Sequence, residues 1–216
     1  MRLFRDREEA GRRLGKALAA HAGPAALVLG IPRGGVPVAA EIARHIGAEL
    51  DVLVVRKIGA PDQPELAIGA VSSTGLRVLN DEIIAEVGAK PAYVASEAER
   101  QEAIARERAG RIRGDRPAPR IEGRDVIVVD DGLATGATMR AAVRVVRAAK
   151  PRKVIVAVPV GPDDTCQAVA TDADEVVCLA SPEAFFAIGQ CYERFDQVSD
   201  EEVARLLARP TVPAGV

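Results

Sequence analysis

Hydrophobic and polar positions along the chain follow two alternating patterns. Segments with apolar residues at helical spacing are separated by runs of almost continuous aliphatic residues, and these runs cover residues 26–30, 51–55, 126–129, 153–160 and 175–179. Such runs are typical of strands buried on both faces of a parallel sheet, with helices as crossovers. The pattern therefore predicts an α/β fold with a mainly parallel central sheet and flanking helices.

Start and stop signals accompany the helical segments. A first helix is predicted from Asp6, as its N-cap, to about residue 20, and a second has Pro37 in its first turn and Gly47 just past its end. Residues 96–99, Ser-Glu-Ala-Glu, have the form of a capping box and predict a highly charged helix from Ser96 to about residue 113. Further helices are predicted over residues 137–149 and after Ser199. Between residues 56 and 79, prolines and glycines interrupt two short apolar runs, which predicts an excursion or hairpin.

Composition narrows the classes of protein that fit this pattern. With 216 residues and 48% hydrophobic content, a single domain with an appended small subdomain is expected rather than a disordered chain or a two-domain enzyme. The net charge of −2 argues against a broad basic face for nucleic acid. Three separated cysteines form neither a disulfide framework nor a zinc-binding spacing, and the charged N-terminus lacks the apolar core of a signal peptide. No apolar run approaches the roughly 18 residues of a membrane span, so a cytoplasmic protein is expected.

The segment with the most chemical content is residues 126–139, Val-Ile-Val-Val-Asp-Asp-Gly-Leu-Ala-Thr-Gly-Ala-Thr-Met. A buried strand ends in Asp130 and Asp131, and a loop of small residues then leads into a helix N-terminus. Free backbone N–H groups, the helix dipole and the threonine hydroxyls of this loop can hold a phosphate monoester. The two carboxylates can accept both hydroxyls of a ribose or bind a metal. The spacing is neither that of a Walker A loop nor that of a dinucleotide-binding loop.

This segment resembles the 5-phosphoribosyl 1-pyrophosphate motif of the type I phosphoribosyltransferases. The matching residues are Asp130, Asp131, Leu133, Ala134, Thr135, Gly136 and Thr138, whereas Gly132 stands where an aliphatic residue is usual. The resemblance implies one domain over residues 1–216, with a core of about 25–180 and a small hood built from residues 1–24 and 181–216. It implies that Asp130, Asp131, Ala134, Thr135, Gly136, Ala137 and Thr138 bind the ribose and its 5-phosphate. The alternative is a structural acid pair before an ordinary helix cap.

Two further segments fit the same family pattern. Arg33 and Gly34 follow the first predicted strand and, by similarity, would contact pyrophosphate; the alternative is a glycine-rich turn with a solvated arginine. Arg56 and Lys57, at the end of the 51–55 strand, resemble the Arg-Lys-x-Gly of adenine-type members and would add positive charge to the same leaving group. Here the alternative is a solvated strand end.

The resemblance also implies a reaction. A nitrogen acceptor such as a nucleobase displaces pyrophosphate from C1 of phosphoribosyl pyrophosphate, with Mg²⁺ as cofactor, bound by Asp130 and Asp131 directly or indirectly. Asp130, Asp131, Arg33 and Lys57 are the predicted catalytic residues. A mobile loop over the site is expected within residues 59–75, or else in the helix of residues 96–113, and a homodimer is a family expectation. Ala134 argues against the usual hypoxanthine/guanine enzymes, which carry an acid at this position.

The acceptor is expected to contact the aromatic residues near the C-terminus. Four of the six aromatics of the chain lie within residues 185–195, where a hood is predicted. Phe186 and Tyr192 are candidates for stacking on a base. The alternative is a satellite core under the final helix, which is favoured for Phe195, and Cys191 is interpreted as a buried structural thiol.

Two other functions compete with a transferase. A regulatory protein could retain the ribose phosphate pocket as a sensor, with the arginines of the charged helix contacting RNA. Glutamates alternate with these arginines, however, which favours a solvated, salt-bridged face. A hydrolase of phosphoribosyl compounds would need a positioned water and a base that the sequence does not show.

Overall fold

The computed structural model describes residues 2–209. Its strands are β1 (Leu27–Gly30), β2 (Glu49–Val52), β3 (Val55–Ala60), β4 (Gln63–Ser72), β5 (Arg77–Leu79), β6 (Asp125–Val129), β7 (Lys153–Val160) and β8 (Glu175–Ala180). Its helices are α1 (Arg7–Leu18), α2 (Gly35–Ile46), α3 (Asp81–Glu86), α4 (Pro91–Arg113), α5 (Ala137–Ala148), α6 (Asp163–Ala170) and α7 (Asp200–Ala208), with a 3-10 helix at Ile188–Cys191.

Five parallel strands form the central sheet in the order β2-β1-β6-β7-β8. Its inner strands β1, β6 and β7 are buried on both faces: Val28 packs with α1, α2 and α7 on one side, whereas Leu27 and Leu29 pack with α5 on the other. Alternate strand residues point to opposite faces, so each aliphatic run supplies both core layers. The predicted α/β fold with a mainly parallel sheet and flanking helices is confirmed.

The central sheet has a topological switch point between β1 and β6. The chain leaves β1 towards β2 on one side, whereas β6 leads to β7 on the other side. The loops that follow β1 and β6 therefore start from neighbouring strand ends and run in opposite directions. A hydrogen bond from the Ile31 N–H to the Val129 carbonyl, at 2.8 Å, joins the two strand ends. Ligands of open α/β sheets bind in the crevice that such a divergence creates.

The predicted excursion is a second, antiparallel sheet of three strands in the order β3-β4-β5. The first half of α4 packs on it through Val94 and Ala98, whereas Ala105 and Ala109 of the second half join the core of the central sheet. The helix thus connects the two sheets. No helix within residues 2–209 is both long and apolar enough to cross a membrane.

Both chain ends contribute to one structure beside the sheet edge, which we call the hood. Phe4 forms a parallel bridge with Tyr192, and the Leu3 N–H donates to the Cys191 carbonyl at 2.8 Å. Phe4 and Tyr192 pack with Val160 at the end of β7. The predicted hood therefore joins the core at the carboxyl ends of the strands, although its residues 1 and 210–216 lie outside the described part of the chain.

Several predicted helix ends are confirmed. The Asp6 side chain accepts a hydrogen bond from the Glu9 N–H, and Ser199 accepts one from the Glu202 N–H, as N-caps do. Gly47 ends α2 with a φ of 71°, in the left-handed region that favours glycine.

Two boundary predictions are wrong. Helix α4 begins at Pro91, not Ser96, because proline is suited to the first helical turn; Ser96 lies within the helix and donates to the Tyr93 carbonyl at 3.0 Å. The run at 51–55 is not one strand either, because the chain leaves the central sheet after Val52 and enters the second sheet at Val55. Helices α3 and α6 were not predicted, since both are shorter than the windows in which helical periodicity is recognised.

Candidate active site

The acid pair lies where β6 ends at the switch point. Asp131 is 8% exposed and Asp130 is half-buried, and Asp130 Oδ1 accepts a hydrogen bond from the Asp131 N–H at 2.9 Å. Burial, followed by the charge of Asp131, raises the pKa of Asp130 well above its usual range. Burial also raises the pKa of Asp131, and the nearby Arg7 opposes this shift. Two carboxylates placed so closely require compensating positive charge from elsewhere.

Part of that charge comes from Arg7, at the start of α1 in the hood. Its Nε donates to Asp131 Oδ2 at 2.8 Å, and its Nη1 donates to the Asp196 carbonyl at 2.8 Å. Its guanidinium also lies over the Phe195 ring, 3.8 Å from the centroid. Arg7 is not among the site residues that the sequence predicts. The sequence does contain a signal for Arg7, namely its place in the first turn of a predicted helix. The helix dipole disfavours a positive charge there, so a contact elsewhere in the protein is expected to hold this arginine.

The phosphate loop, residues 132–138, connects the acid pair to α5. Ala134, Thr135, Ala137 and Thr138 are exposed, so their hydroxyls and backbone N–H groups can meet a ligand. Gly136 has a φ of 71°, and a Cβ there would lie 3.0 Å from the Thr165 methyl group. This glycine therefore allows both the turn and the close approach of α6.

Thr165 is a second residue near the site that the sequence does not predict. Its hydroxyl, in the first turn of α6, donates to the Ala134 carbonyl at 3.3 Å and supports the phosphate loop from outside. A third strand end, that of β7, thus contributes to the site.

Gly132, which departs from the family pattern, has a packing reason. A Cβ at this position would lie 2.7 Å from Ile188 Cγ2 and 3.1 Å from Val160 Cγ1. The hood residue Ile188 therefore occupies the space that a larger side chain would need. The absence of a side chain here allows the C-terminal segment to approach the loop.

The loop after β1 approaches the acid pair directly. A Cβ on Gly34 would lie 1.9 Å from Asp131 Oδ2, and one on Gly35 would lie 2.5 Å from the Val129 carbonyl oxygen. The peptide bond between Pro32 and Arg33 is cis. The Arg33 side chain is half-buried and forms no ion pair with an acid between residues 2 and 209. The structure therefore brings Gly34 and Gly35 against the acid pair, whereas contact of Arg33 and Gly34 with pyrophosphate stays a prediction.

Arg56 and Lys57 do not form the expected joint patch at a strand end. Both lie inside β3, and their side chains point to opposite faces because strand residues alternate. Arg56 donates to Gln101 of α4, whereas the exposed Lys57 donates to Glu65 Oε2 at 2.6 Å. The prediction that they stand at the end of a strand of residues 51–55 is wrong; contact of either one with pyrophosphate stays a prediction.

The C-terminal aromatic residues divide into two kinds. Tyr192 is 3% exposed. Its ring is stacked on the Phe195 ring, with 5.0 Å between the centroids, and it also contacts the Phe4 ring. Its hydroxyl donates to the Asp131 carbonyl at 2.7 Å. The prediction that Tyr192 stacks on a base is therefore wrong, because no ring face is free. Phe186 is 88% exposed, and its contact with an acceptor stays a prediction; Cys191 is buried, as predicted.

The arginines of α4 are paired with acids. Arg100, Arg106 and Arg111 form ion pairs with glutamates one helical turn away, and Arg108 contacts Asp200. These pairs fit the salt-bridged face that the charge alternation predicts.

The acid pair is chemically suited to Mg²⁺. Asp130 Oδ2 and Asp131 Oδ1 have no hydrogen-bond partner within residues 2–209, and neither atom is fully buried. Mg²⁺ prefers oxygen ligands and is usually held by one or two carboxylates together with substrate phosphates and water. The described residues contain no cluster of three or more side chains that could hold a metal alone. Asp130 and Asp131 would thus hold the ion together with a substrate.

Fold and site together define an open-sheet α/β protein with an acid pair, a phosphate loop and a glycine loop at its switch point. The chain matches the family model described as phosphoribosyl transferase domain over residues 9–195. It therefore belongs to the phosphoribosyl transferase family.

Individual relatives agree with this assignment. One relative is a Mycobacterium tuberculosis (strain H37Rv) protein that is provisionally named a phosphoribosyl transferase. It is 51% identical over 209 residues, which are 97% of this chain and 47% of that protein. The chain thus spans about half the length of the curated relatives it matches. The crystal structure of TT1426 from Thermus thermophilus is similar with a TM-score of 0.88 and 48% identity, over 96% of this chain and 98% of that chain.

Proposed function

We propose that the protein transfers a phosphoribosyl group from phosphoribosyl pyrophosphate to a nitrogen acceptor, with Mg²⁺ as cofactor. The observation that carries the proposal is the convergence of Asp130, Asp131, Gly34 and the phosphate loop at one switch point. Each carboxylate there has one oxygen without a partner among the described residues. A phosphate cradle beside two acceptor oxygens matches the 5-phosphate and the vicinal hydroxyls of a ribose.

The phosphate loop is the proposed binding site of the 5-phosphate. Its exposed Thr135 and Thr138 lie at the N-terminus of α5, where free N–H groups and the helix dipole favour an anion. Binding here would fix one end of the sugar. The ribose hydroxyls would then donate to Asp130 Oδ2 and Asp131 Oδ1, which orients C1 for displacement.

The loop after β1 is the proposed site of the leaving pyrophosphate. Negative charge accumulates on this group as its bond to C1 breaks, and preorganised donors that face it lower the barrier. Arg33 supplies such a charge, and Gly34 allows the backbone to come close. Mg²⁺, when bound, would neutralise pyrophosphate charge and orient its oxygens. Lys57 remains a proposed contributor from the second sheet.

Water must be kept from C1 while the acceptor attacks, because it would hydrolyse the activated sugar. The tip of the β3–β4 hairpin, which falls within the segment 59–75 predicted from the sequence, is the proposed cover, since residues 63–67 of β4 are exposed. The exposed Phe186 is the proposed acceptor contact. The homodimer expected for the family stays a prediction.

The experiment is a pyrophosphate-release assay with phosphoribosyl pyrophosphate, Mg²⁺ and a panel of purines, pyrimidines and small amines. We expect release with at least one acceptor, abolished in Asp130→Asn, together with a rise in melting temperature on ligand binding. Saturable binding without release from any acceptor would instead indicate a regulatory sensor. Absence of any binding at millimolar ligand would contradict both functions.

The phosphate loop can be tested separately. The double variant Thr135→Ala/Thr138→Ala should bind ribose 5-phosphate more weakly, by about 0.5–1.5 kcal/mol for each hydroxyl lost. Thr171→Ala is a matched control, because its hydroxyl donates to the Ala168 carbonyl away from the loop. Unchanged affinity in the double variant would place the phosphate elsewhere.

A further inference from the structure

We propose that Arg7 is a positioning residue for the ribose site, through which the hood sets the Asp131 carboxylate so that the acid pair presents one free oxygen to each of two neighbouring hydroxyls. The inference rests on the proposed function, since it names how that site recognises a ribose. It assigns a role in substrate recognition to a residue far from the phosphate loop in sequence.

The first observation is how the carboxylate oxygens are divided. Asp130 Oδ1 is used by the Asp131 N–H at 2.9 Å, and Asp131 Oδ2 is used by Arg7 Nε at 2.8 Å. Each acid therefore has one oxygen that accepts a hydrogen bond within the protein and one oxygen that has no partner in residues 2–209. An ionised carboxylate accepts hydrogen bonds only, so the two remaining oxygens form a pair of acceptors. Two neighbouring hydroxyls of a ribose are a matching pair of donors.

The second observation is that Arg7 itself is held on several sides. Its side chain is 12% exposed, its Nη1 donates to the Asp196 carbonyl at 2.8 Å, and its guanidinium lies over Phe195. A guanidinium is planar with fixed donor directions, so these contacts fix its orientation. An arginine held in this way imposes a geometry on its carboxylate partner, which a mobile surface pair does not.

The third observation is that the hood holds the backbone of Asp131 as well. Tyr192 donates its hydroxyl to the Asp131 carbonyl at 2.7 Å and stacks on Phe195, the ring beneath Arg7. Side chain and backbone of one acid are thus fixed by residues from both chain ends. On the other side, Gly34 provides the space that Oδ2 occupies. Rotation of the carboxylate is therefore restricted from both sides.

The consequence is a preference for a particular sugar. Loss of Arg7 leaves Asp131 Oδ2 without its donor, and Oδ1 is then no longer held in one orientation. The hydrogen bonds from the ribose hydroxyls to the acid pair should therefore become weaker. Inorganic phosphate needs the phosphate loop but no hydroxyl acceptor, so its binding should not change. A purely structural role of Arg7 would weaken all phosphate ligands together.

The test measures binding of three probes by calorimetry in the presence of Mg²⁺: ribose 5-phosphate, 2-deoxyribose 5-phosphate and inorganic phosphate. The proteins are wild type, Arg7→Gln, Arg7→Lys and the control Arg13→Gln. Arg13 lies on the same helix, packs over the Phe4 ring and donates to the Leu3 carbonyl, but does not contact the acid pair.

We expect wild type to prefer ribose 5-phosphate over its 2-deoxy analogue. Arg7→Gln should bind ribose 5-phosphate about 10- to 100-fold more weakly, as is typical when a residue that orients a ligand-binding side chain is lost. Its preference for ribose should shrink, while its affinity for inorganic phosphate stays within a factor of about two of wild type. Arg7→Lys should restore part of the preference, and Arg13→Gln should behave as wild type.

Three results would overturn the inference. They are an unchanged ribose preference in Arg7→Gln, an equal loss of all three ligands, and a loss of the same size in Arg13→Gln. If Arg7→Gln does not fold, Arg7→Lys decides, because it keeps the charge without the planar fork, and a full ribose preference in it overturns the inference. Failure of wild type to bind ribose 5-phosphate and phosphoribosyl pyrophosphate would instead contradict the proposed function itself.

Discussion

Two Asp–Arg pairs in this molecule are alike in burial but differ in how completely their oxygens are used. Asp51 in β2 pairs with Arg113 at the end of α4, with side chains 2% and 9% exposed, and Asp131 pairs with Arg7, with side chains 11% and 12% exposed. Both pairs join segments that are distant in sequence. Burial and ion pairing therefore do not separate a functional acid from a structural one.

The difference lies in the second carboxylate oxygen. Asp51 Oδ1 accepts from the Val52 N–H at 2.6 Å and from Arg113 at 2.9 Å, and Arg113 Nε lies 3.1 Å from Oδ2. Asp131 Oδ1 has no such partner among the described residues and is not sealed from solvent. A buried acid whose two oxygens both accept hydrogen bonds within the protein stabilises a packing arrangement. A carboxylate oxygen at a strand end that accepts no such hydrogen bond is available to a ligand.

The largest expected effect belongs to the structural pair. Arg113→Gln leaves the Asp51 carboxylate buried without its counterion, so the free energy of unfolding should fall by about 3–5 kcal/mol. Urea denaturation measures this loss, and ribose 5-phosphate affinity of the folded protein should not change. The double variant Asp51→Asn/Arg113→Gln should recover part of the stability, because no unpaired charge remains. A loss below about 1 kcal/mol would mean that the two pairs do not differ as described.

The next effect concerns the pair at the site. Asp131→Asn removes one charged acceptor, so the affinity for ribose 5-phosphate should fall by about 1.5–3 kcal/mol, roughly 10- to 100-fold. Stability should change little, because the lost contact with Arg7 is offset by relief of repulsion from Asp130. Calorimetry and urea denaturation on the same samples provide both values. Unchanged affinity combined with a large loss of stability would make Asp131 a structural acid like Asp51.

A third comparison uses two glycines. Gly34→Ala would place a Cβ 1.9 Å from Asp131 Oδ2, so the carboxylate must move, and a cost of about 1–3 kcal/mol is expected in ribose 5-phosphate binding. Gly110→Ala is the matched control, since among the described residues no atom outside the neighbouring residues and the α4 backbone lies within 4 Å of its Cβ position. The control should gain up to about 1 kcal/mol of stability with unchanged affinity. Equal affinity in both variants would contradict the proposed contact between the two loops.

The smallest effect is expected at an exposed pair. Burial would raise the pKa of Asp6, but hydrogen bonds from the Glu9 N–H, Arg194 and Arg5 outweigh it and lower this pKa to about 2. A lowered carboxyl pKa stabilises the fold above pH 4 or so, and this contribution is lost as the pH falls through about 2. Asp6→Asn keeps a good N-cap, so it should cost less than about 1 kcal/mol at pH 7.

That difference is measured by urea denaturation of wild type and Asp6→Asn at pH 7 and at pH 2.5. The difference between the two proteins should be smaller at the lower pH, because part of the stabilisation by the ionised carboxylate is lost there. A difference that grows on acidification would show that Asp6 is not held in its charged form by these partners.

The sequence was sufficient where local chemistry determines structure. The aliphatic runs predict the central sheet, Asp6, Gly47 and Ser199 predict helix ends, and the segment from Asp130 to Thr138 predicts the acid pair and the phosphate loop. Each of these features is encoded within a few consecutive residues, because capping, strand burial and loop chemistry act over one or two turns of chain. The approach of Gly34 to the acids follows from parallel strands that end at one sheet edge.

The predictions that failed depended on contacts across long stretches of chain. Whether Tyr192 meets a base or another ring depends on Phe4, about 190 residues away, with which it pairs. The directions of Arg56 and Lys57 depend on whether residue 55 continues one sheet or starts another. Neither choice leaves a periodic signal in the sequence.

By itself, the sequence determined the α/β architecture and the chemistry of the strand end at Asp130 and Asp131. The tertiary structure decided how that chemistry is held: Arg7 and Tyr192 fix Asp131 from both chain ends, and Ile188 fills the space left by Gly132. The physical reason is that hydrogen bonds and packing depend on distances between atoms. Those distances are set by the fold, and residues 7 and 131 become neighbours only when the hood closes on the sheet.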